Sequence, residues 1–450
     1  MGTSACGKTV FLTSLLDHLR NHDRKLLPLH DEKGQDIEVV DFKEIKRSGN
    51  KDFKTFPQQR FRSMIVEGVT WPEKTADIHH FDCLITIDKK NPKKEIKHRS
   101  KVNLEFLDVP GERFADLSMY ETSYENWSDA FWEKVNQNIA IEKEAQEFLK
   151  PPENLPTEKI IRHFKVFLGK LYANHYSRMV SPSIFILDRS GKMPARGRTF
   201  EEWASERLVG TSRETEFVPL PAKWRESRPE LVKEFKRHYR DYSREIVRPL
   251  VDWLKNADQL LLLIDQTEIL MGGPTMYNDV ASICDETIRR LTVEPTALTK
   301  ALGLGEIALS VGLIRHAEIS KIGVVSTKVD KILRDDENNV NLLAEDLLEK
   351  SLRRLSNVDC KYFGCAAVNS SERVKDNPQG LAAVLLNQGD DTEGSSQKMI
   401  EVSQLPDKWP DKRNWNDYYF PDFRPHFPDR TNEPPKHRGM EKIVNYILKS

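Results

Sequence analysis

The segment Gly2-Thr3-Ser4-Ala5-Cys6-Gly7-Lys8-Thr9 satisfies G-x-x-x-x-G-K-[ST] at every fixed position. Glycines let backbone N–H groups curl around phosphate oxygens, and the helix that must follow adds the partial positive charge of its N-terminus. Gly2, Ser4, Cys6 and Gly7 are therefore expected to surround phosphates. Lys8 would reach the β- and γ-phosphates and act in catalysis, while the Thr9 hydroxyl would ligate Mg²⁺. A chance match is the alternative. Against it, Val10, Phe11, Leu12, Leu15, Leu16 and Leu19 follow at once with helical period, the context such a loop needs.

A phosphate loop implies a strand-ending carboxylate downstream, and Asp108-Val109-Pro110-Gly111 supplies one after the apolar run Val102 to Leu107. Asp108 would hold a magnesium-bound water and the Gly111 amide would meet the γ-phosphate, the contact that orders a switch loop. Alone, D-x-x-G usually marks a turn. Glu112 follows where a water-orienting side chain is expected. Arg113 reads either as charge offered in cis or as a surface ion-pair partner. Thr75, in Trp71-Pro72-Glu73-Lys74-Thr75, is the candidate to complete magnesium coordination, with Thr70 second.

Thr327-Lys328-Val329-Asp330 follows the strand-like Gly323 to Ser326. The Asp330 carboxylate can accept from guanine N1–H and the N2 amino group together, a donor pair that adenine lacks. The Lys328 stem would cover one face of the purine, and Thr327 stands where asparagine is commoner. The bland reading is a helix start with a charged first turn. Cys365-Ala366-Ala367 comes where backbone amides of small residues, Ala366 and Ala367, would contact the guanine carbonyl.

Short strands alternating with helices, each motif but the first just beyond a strand, predict an α/β fold. The expected form is a doubly wound P-loop sheet interrupted by a large, mainly helical insertion. Three parts follow: 1–119, with the P-loop and both switches; 120–256, the helical insertion; and 257–450, with TKxD and a proline- and aromatic-rich wrapping segment. Residues 20–75 read mostly as loop, Lys89 to Lys101 as a hairpin turn, and Met440 to Leu448 as a closing helix. Pro151-Pro152, Ser181-Pro182 and the basic Lys192 to Arg198 interrupt the helical part, and 388–397 reads as mobile.

Hydrophobic residues are 38% and charged residues 31% of 450, with a formal net charge of −1. That balance removes any global attraction to nucleic acid. The basic residues of Lys223 to Arg248 are interspersed with Glu226, Glu230, Glu234, Asp241 and Glu245, as on a solvated helix. Five cysteines without CxxC spacing argue against a disulfide framework or zinc site. The apolar run Leu260 to Ile264 stops at Asp265 and nothing approaches the length of a span, so no transmembrane helix is expected. The start lacks a signal-peptide pattern, and the expected location is the cytoplasm.

At this point the chain resembles the YcjX family of stress-associated bacterial P-loop proteins. The carrying pieces are Gly7 to Thr9, Trp71 to Thr75, Asp108 to Glu112, Gly273 to Asp279, Thr327 to Asp330, Phe363 to Val368 and Phe423 to Pro425. The resemblance implies a Ras-like core interrupted by a helical domain, binding and hydrolysis of GTP with Mg²⁺, and glutamate at position 112. A protein partner would engage the insertion. Ala5-Cys6 departs from the family pattern and places an oxidisable thiol in the loop. Family members also have a strand before the P-loop, whereas only Met1 precedes Gly2 here. Its lack would leave a slot of about 9.6 Å between Val102–Leu107 and Gln259–Ile264. Other readings are a nucleotide-binding scaffold with little hydrolysis, an ATPase, and a P-loop kinase.

Overall fold

The computed structural model describes residues 2, 6–31, 33–46, 53–72, 77–90, 97–136, 142–149, 155–174, 185–187, 208–209, 215–291, 319–353, 355, 358–374, 380–386, 398–411, 414–415, 417–425 and 430–448. It is a mixed α/β fold with several sheets and many helices.

Its centre is a parallel sheet in the order Asp359–Cys365, Lys321–Thr327, Gln259–Ile264. Side chains on a strand alternate between faces. Leu260, Leu262, Ile264, Ile322 and Val324 enter one core, while Leu263, Val325, Phe363 and Cys365 enter another. Both faces are covered, which is why these strands read as near-continuous apolar runs. The first core receives Ile269 and Leu270 of the helix Gln266–Leu291, and Val340, Leu343 and Leu347 of the helix Glu337–Leu352. The second receives Phe11, Leu12, Leu15, Leu16 and Leu19 of the helix Lys8–Arg20, with Ile443 and Val444 of the helix Met440–Leu448.

A second sheet closes that core. His79–Lys90 and Lys97–Asp108 pair antiparallel over twelve residues each, with Asp108 opposite His79. Phe81, Cys83, Ile85 and Ile87 point inward at every second position. The reading of 20–75 as mostly loop is corrected here. Asp36–Glu44 pairs with His79–Lys90, burying Ile37 and Val39, and Gln58–Val66 is a helix. Charged residues on the outer face of Asp36–Glu44 hid its alternation.

Between Lys97–Asp108 and Gln259–Ile264 the two sheets remain separate among the described residues. Gly2 forms a parallel bridge with Leu263 there, so close that a Cβ on Gly2 would lie 2.4 Å from the Leu263 carbonyl oxygen.

Within 120–256, the helices Tyr124–Asn136, Glu142–Leu149, Thr157–Asn174, Ala222–Ser227, Pro229–Tyr242 and Arg248–Lys255 pack around aromatic rings. Trp132 and Phe148 stack with centroids 5.4 Å apart, and Tyr239 meets Trp127 and Phe217 edge-on or tilted. A π-helical turn, Ser243–Val247, joins Pro229–Tyr242 to Arg248–Lys255. The three expected interruptions at 151–152, 181–182 and 192–198 lie outside the described residues, as do 91–96 of the hairpin turn and 388–397.

The motif Gly273 to Asp279 lies inside the helix Gln266–Leu291 and bends it. Gly273 has φ 73°, and Pro274 has no N–H to return to the Leu270 carbonyl. Trp415 donates its indole N–H to that carbonyl instead, at 2.7 Å. Trp415 belongs to the wrapping segment, which also buries Trp409, Phe420 and Phe423. No helix among the described residues is long and apolar enough to cross a membrane.

Candidate functional site

Asp108, Thr327 and Cys365 each end a strand, and the P-loop helix begins at Lys8 beside them. Parallel α/β sheets place ligands outside carboxyl ends such as those at Thr327 and Cys365, and the neighbouring antiparallel strand brings Asp108 to the same place. A cavity of about 300 Å³ opens there. Of the residues singled out in the sequence, Cys6, Gly7, Lys8, Thr9, Asp108, Gly111, Glu112, Thr327, Lys328, Asp330, Ala366 and Ala367 all line it. Gly2 lies behind, against Leu263. Ser4 and Thr75 fall outside the described residues.

At the phosphate end Gly7 takes φ 84°, a left-handed conformation that suits glycine, and its carbonyl accepts the Phe11 N–H to start the helix. Lys8 Nζ donates to the Gly2 carbonyl at 3.1 Å, so the ammonium is curled over the loop. Thr9 Oγ1 donates to Asp108 Oδ2 at 2.9 Å. These two oxygens form an all-oxygen pair that suits a hard cation such as Mg²⁺, with phosphate and water completing its shell. Cys6 is wholly buried, and burial pushes its thiol upward before Lys8 pulls it back. Burial thus disfavours the thiolate of Cys6 and lowers its reactivity as an oxidisable thiol of the loop.

The turn Gly111–Met119 carries Glu112, which is buried and lines the cavity. Arg113 does not line the cavity, and the acids beside it are Asp116 and Glu112, whose charges favour its guanidinium. It is buried, donates to the Tyr242 hydroxyl and stacks its guanidinium 5.7 Å from that ring, facing the helices rather than the cavity. Tyr242 in turn donates to Asp116 Oδ2 at 2.6 Å. Thr70 bonds the Met64 carbonyl at 3.4 Å after the helix Gln58–Val66 and does not line the cavity. Its neighbours Trp71 and Pro72 do, and Trp71 Nε1 donates to the Phe423 carbonyl at 2.7 Å.

At the base end Asp330 Oδ2 accepts the Ser370 N–H at 3.0 Å. Burial pushes the Asp330 carboxyl up, opposed by that bond and by Lys331 and Arg438. Lys328 sits in a left-handed conformation, φ 57°, uncommon for a residue with a side chain. Its Nζ lies 2.7 Å from Asp265 Oδ2. Burial raises the Asp265 carboxyl, but Lys328 and Lys331 outweigh it and bring the group down to about 2. Burial likewise opposes the Lys328 charge, and Asp265, Glu268 and Asp422 more than offset it. The Ala366 N–H is already given to the Arg438 carbonyl at 2.9 Å, which corrects its expected role as an available donor. Ala367 keeps its place in the lining, with its carbonyl accepting Ser14 Oγ at 2.6 Å.

Sequence reading missed Ser370, Leu386, Asp422, Phe423 and Asp265. Phe423 lay in a motif already noted, and Asp265 ended a strand as the other motifs do. Ser370 and Leu386 carried no local signal.

Two curated relatives span almost the whole chain. "Ras-like GTPase YcjX" of Shewanella oneidensis is 21% identical over 99% of this chain and 92% of its own length. The protein of the same name from Escherichia coli is 21% identical over 99% and 94%. With residues 1–450 matched by its description, the chain belongs to the YcjX-like family, DUF463.

Proposed function

We propose that this chain is a GTP-binding protein that hydrolyses GTP with Mg²⁺ and works as a stress-associated switch in the cytoplasm. The observation that carries the reading is one cavity lined by Lys8, Asp108, Gly111 and Asp330, residues up to about 320 positions apart. The relatives' printed name, Ras-like GTPase, supports it.

In this reading the P-loop amides and Lys8 neutralise the β- and γ-phosphates, so that charge developing on the leaving oxygen is met by fixed donors. Thr9 and Asp108 hold Mg²⁺, with Thr75 as the third protein contact. The ion supplies charge neutralisation between the phosphates. Glu112 orients a water against the γ-phosphorus. The new P–O bond forms as the bond to the β–γ bridging oxygen breaks, giving GDP and phosphate. Gly111 senses the γ-phosphate. Asp330 reads the guanine edge, Lys328 covers its face with Thr327 behind, and Ala367 faces the base carbonyl. Residues 1–119 and 257–450 form the core in this scheme, and 120–256 is the inserted surface for a protein partner.

Titration with GTP and ATP analogues in magnesium tests the reading, repeated with Asp330→Asn. Tight GTP and weak ATP binding are expected, with the variant weakened for GTP and improved for xanthosine triphosphate. Equal affinity for GTP and ATP, unchanged by the substitution, would remove guanine recognition. Single-turnover phosphate release separates a hydrolase from a scaffold.

A further inference from the structure

The ion pair behind the base site has a second owner. Asp265 follows the strand Gln259–Ile264 and is buried. Its two carboxylate oxygens serve different elements. Oδ1 accepts Thr267 Oγ1 at 2.6 Å and the Glu268 N–H at 3.1 Å, capping the helix that starts at Gln266. Oδ2 lies 2.7 Å from Lys328 Nζ. Lys328 is also one of only three non-glycine residues with positive φ among those described. A side chain held in that conformation needs surroundings that fix it.

We infer that Asp265 is a positioning residue for nucleobase recognition, anchoring the Lys328 ammonium so that its stem lies along the base site next to Asp330. This rests on the guanine reading proposed above. The anchor acts through charge on Oδ2, and the cap acts through an acceptor on Oδ1, so the two can be separated. Asparagine caps helices as well as aspartate does. Its amide would keep the Oδ1 bonds and present an NH₂ to the Lys328 ammonium, donor against donor.

The test is a double-substitution cycle with Asp265→Asn and Lys328→Met, reading Kd for GDP and GTP. Asp265→Asn should raise both constants by about tenfold or more and by the same factor, since both nucleotides carry one base. Lys328→Met should do the same, and the combined variant should be no weaker than Lys328→Met alone. If Asp265 only caps the helix, Asp265→Asn binds as wild type does, which overturns the anchor. Multiplying losses in the combined variant also overturn it, because Asp265 would then act independently of Lys328. A wild-type protein that does not prefer GTP to ATP overturns the guanine reading and this inference together, and is recognised before any variant is made.

Discussion

Arg113 donates to the hydroxyl of Tyr242, 129 residues further along, and so ties the turn after the Asp108–Gly111 motif to the helix Pro229–Tyr242. The hydroxyl donates its own hydrogen bond to Asp116, which makes Tyr242 both acceptor and donor between two charged groups of one turn. A π-helical turn begins at the next residue, a feature often found at functional positions. Tyr242→Phe should destabilise the protein by about 1.5–3 kcal/mol, the worth of a hydrogen bond to a charged group. Because Gly111–Met119 carries Glu112, phosphate release should also change in rate. Urea unfolding checks the first effect and single-turnover hydrolysis the second. A variant matching wild type in both would reduce this contact to packing.

Lys8→Ala should lower GTP affinity or turnover at least tenfold without unfolding the chain. One charge-assisted phosphate contact is worth about 1.5–3 kcal/mol, and Lys8 is only partly buried, bonded to the Gly2 carbonyl. Calorimetric binding with a circular-dichroism control checks it. Undiminished binding and turnover would contradict the phosphate-loop assignment.

Stability should fall with acid. His18 Nε2 meets the Pro435 carbonyl at 2.9 Å, and its ring packs edge-on against His437 with centroids 4.6 Å apart. Burial first, then His437, lowers the His18 imidazole from 6.5 to about 3. The folded form therefore keeps His18 neutral where the unfolded chain binds a proton. Stability is full above about pH 6.5 and declines as pH drops towards 3, by up to ~1.4 kcal/mol per pH unit from this residue. His22, His79 and His437 are lowered too, each chiefly by burial, and steepen the decline. Urea midpoints between pH 4 and 8 for His18→Gln should show a shallower slope than wild type; parallel slopes would exclude His18 as a contributor.

Gly439 and Gly34 both have positive φ, 77° and 71°, but only one is crowded. A Cβ on Gly439 would lie 2.2 Å from the Gly364 carbonyl oxygen, whereas nothing lies within 4 Å of one on Gly34. Gly34→Ala should cost about 1–2 kcal/mol for the backbone alone. Gly439→Ala adds overpacking of about 1–3 kcal/mol, and should loosen the neighbouring Ala366–Arg438 bridge. Equal losses in denaturant melts would mean that the contact relaxes freely.

The parts of the site legible from sequence were those whose chemistry acts through local backbone. Gly7 must be left-handed, Lys8 and Thr9 must open a helix, and Asp108 must end a strand, so the residue types recur at fixed spacing. Gln259–Ile264 was equally plain because both faces are apolar. Asp265 and Tyr242 were not legible, because each acquires its role from a partner many positions away. The burial of Arg113 was not legible for the same reason: it faces a ring that nothing nearby in sequence announces. The strand Asp36–Glu44 was missed because only Ile37 and Val39 are buried along it. Ala366 fits its motif, yet its N–H is taken by Arg438, a pairing only tertiary structure creates.

The helix Lys8–Arg20 shares its core with the helix Met440–Leu448. His18 reaches Pro435 across 417 positions, and the His30 N–H reaches Asn445 Oδ1 across 415. At a translation rate of about 5–20 residues per second, the contribution of Ile443 and Val444 to that core arrives roughly 20–85 s after Lys8–Arg20 has been made. The helix Gln58–Val66 and the strands Asp36–Glu44 and Lys97–Asp108, which also pack against Lys8–Arg20, are made much sooner, so this core closes in two stages. The C-terminal closure of this core is therefore a late event in synthesis, added to a layer that the residues up to Asp108 can already build.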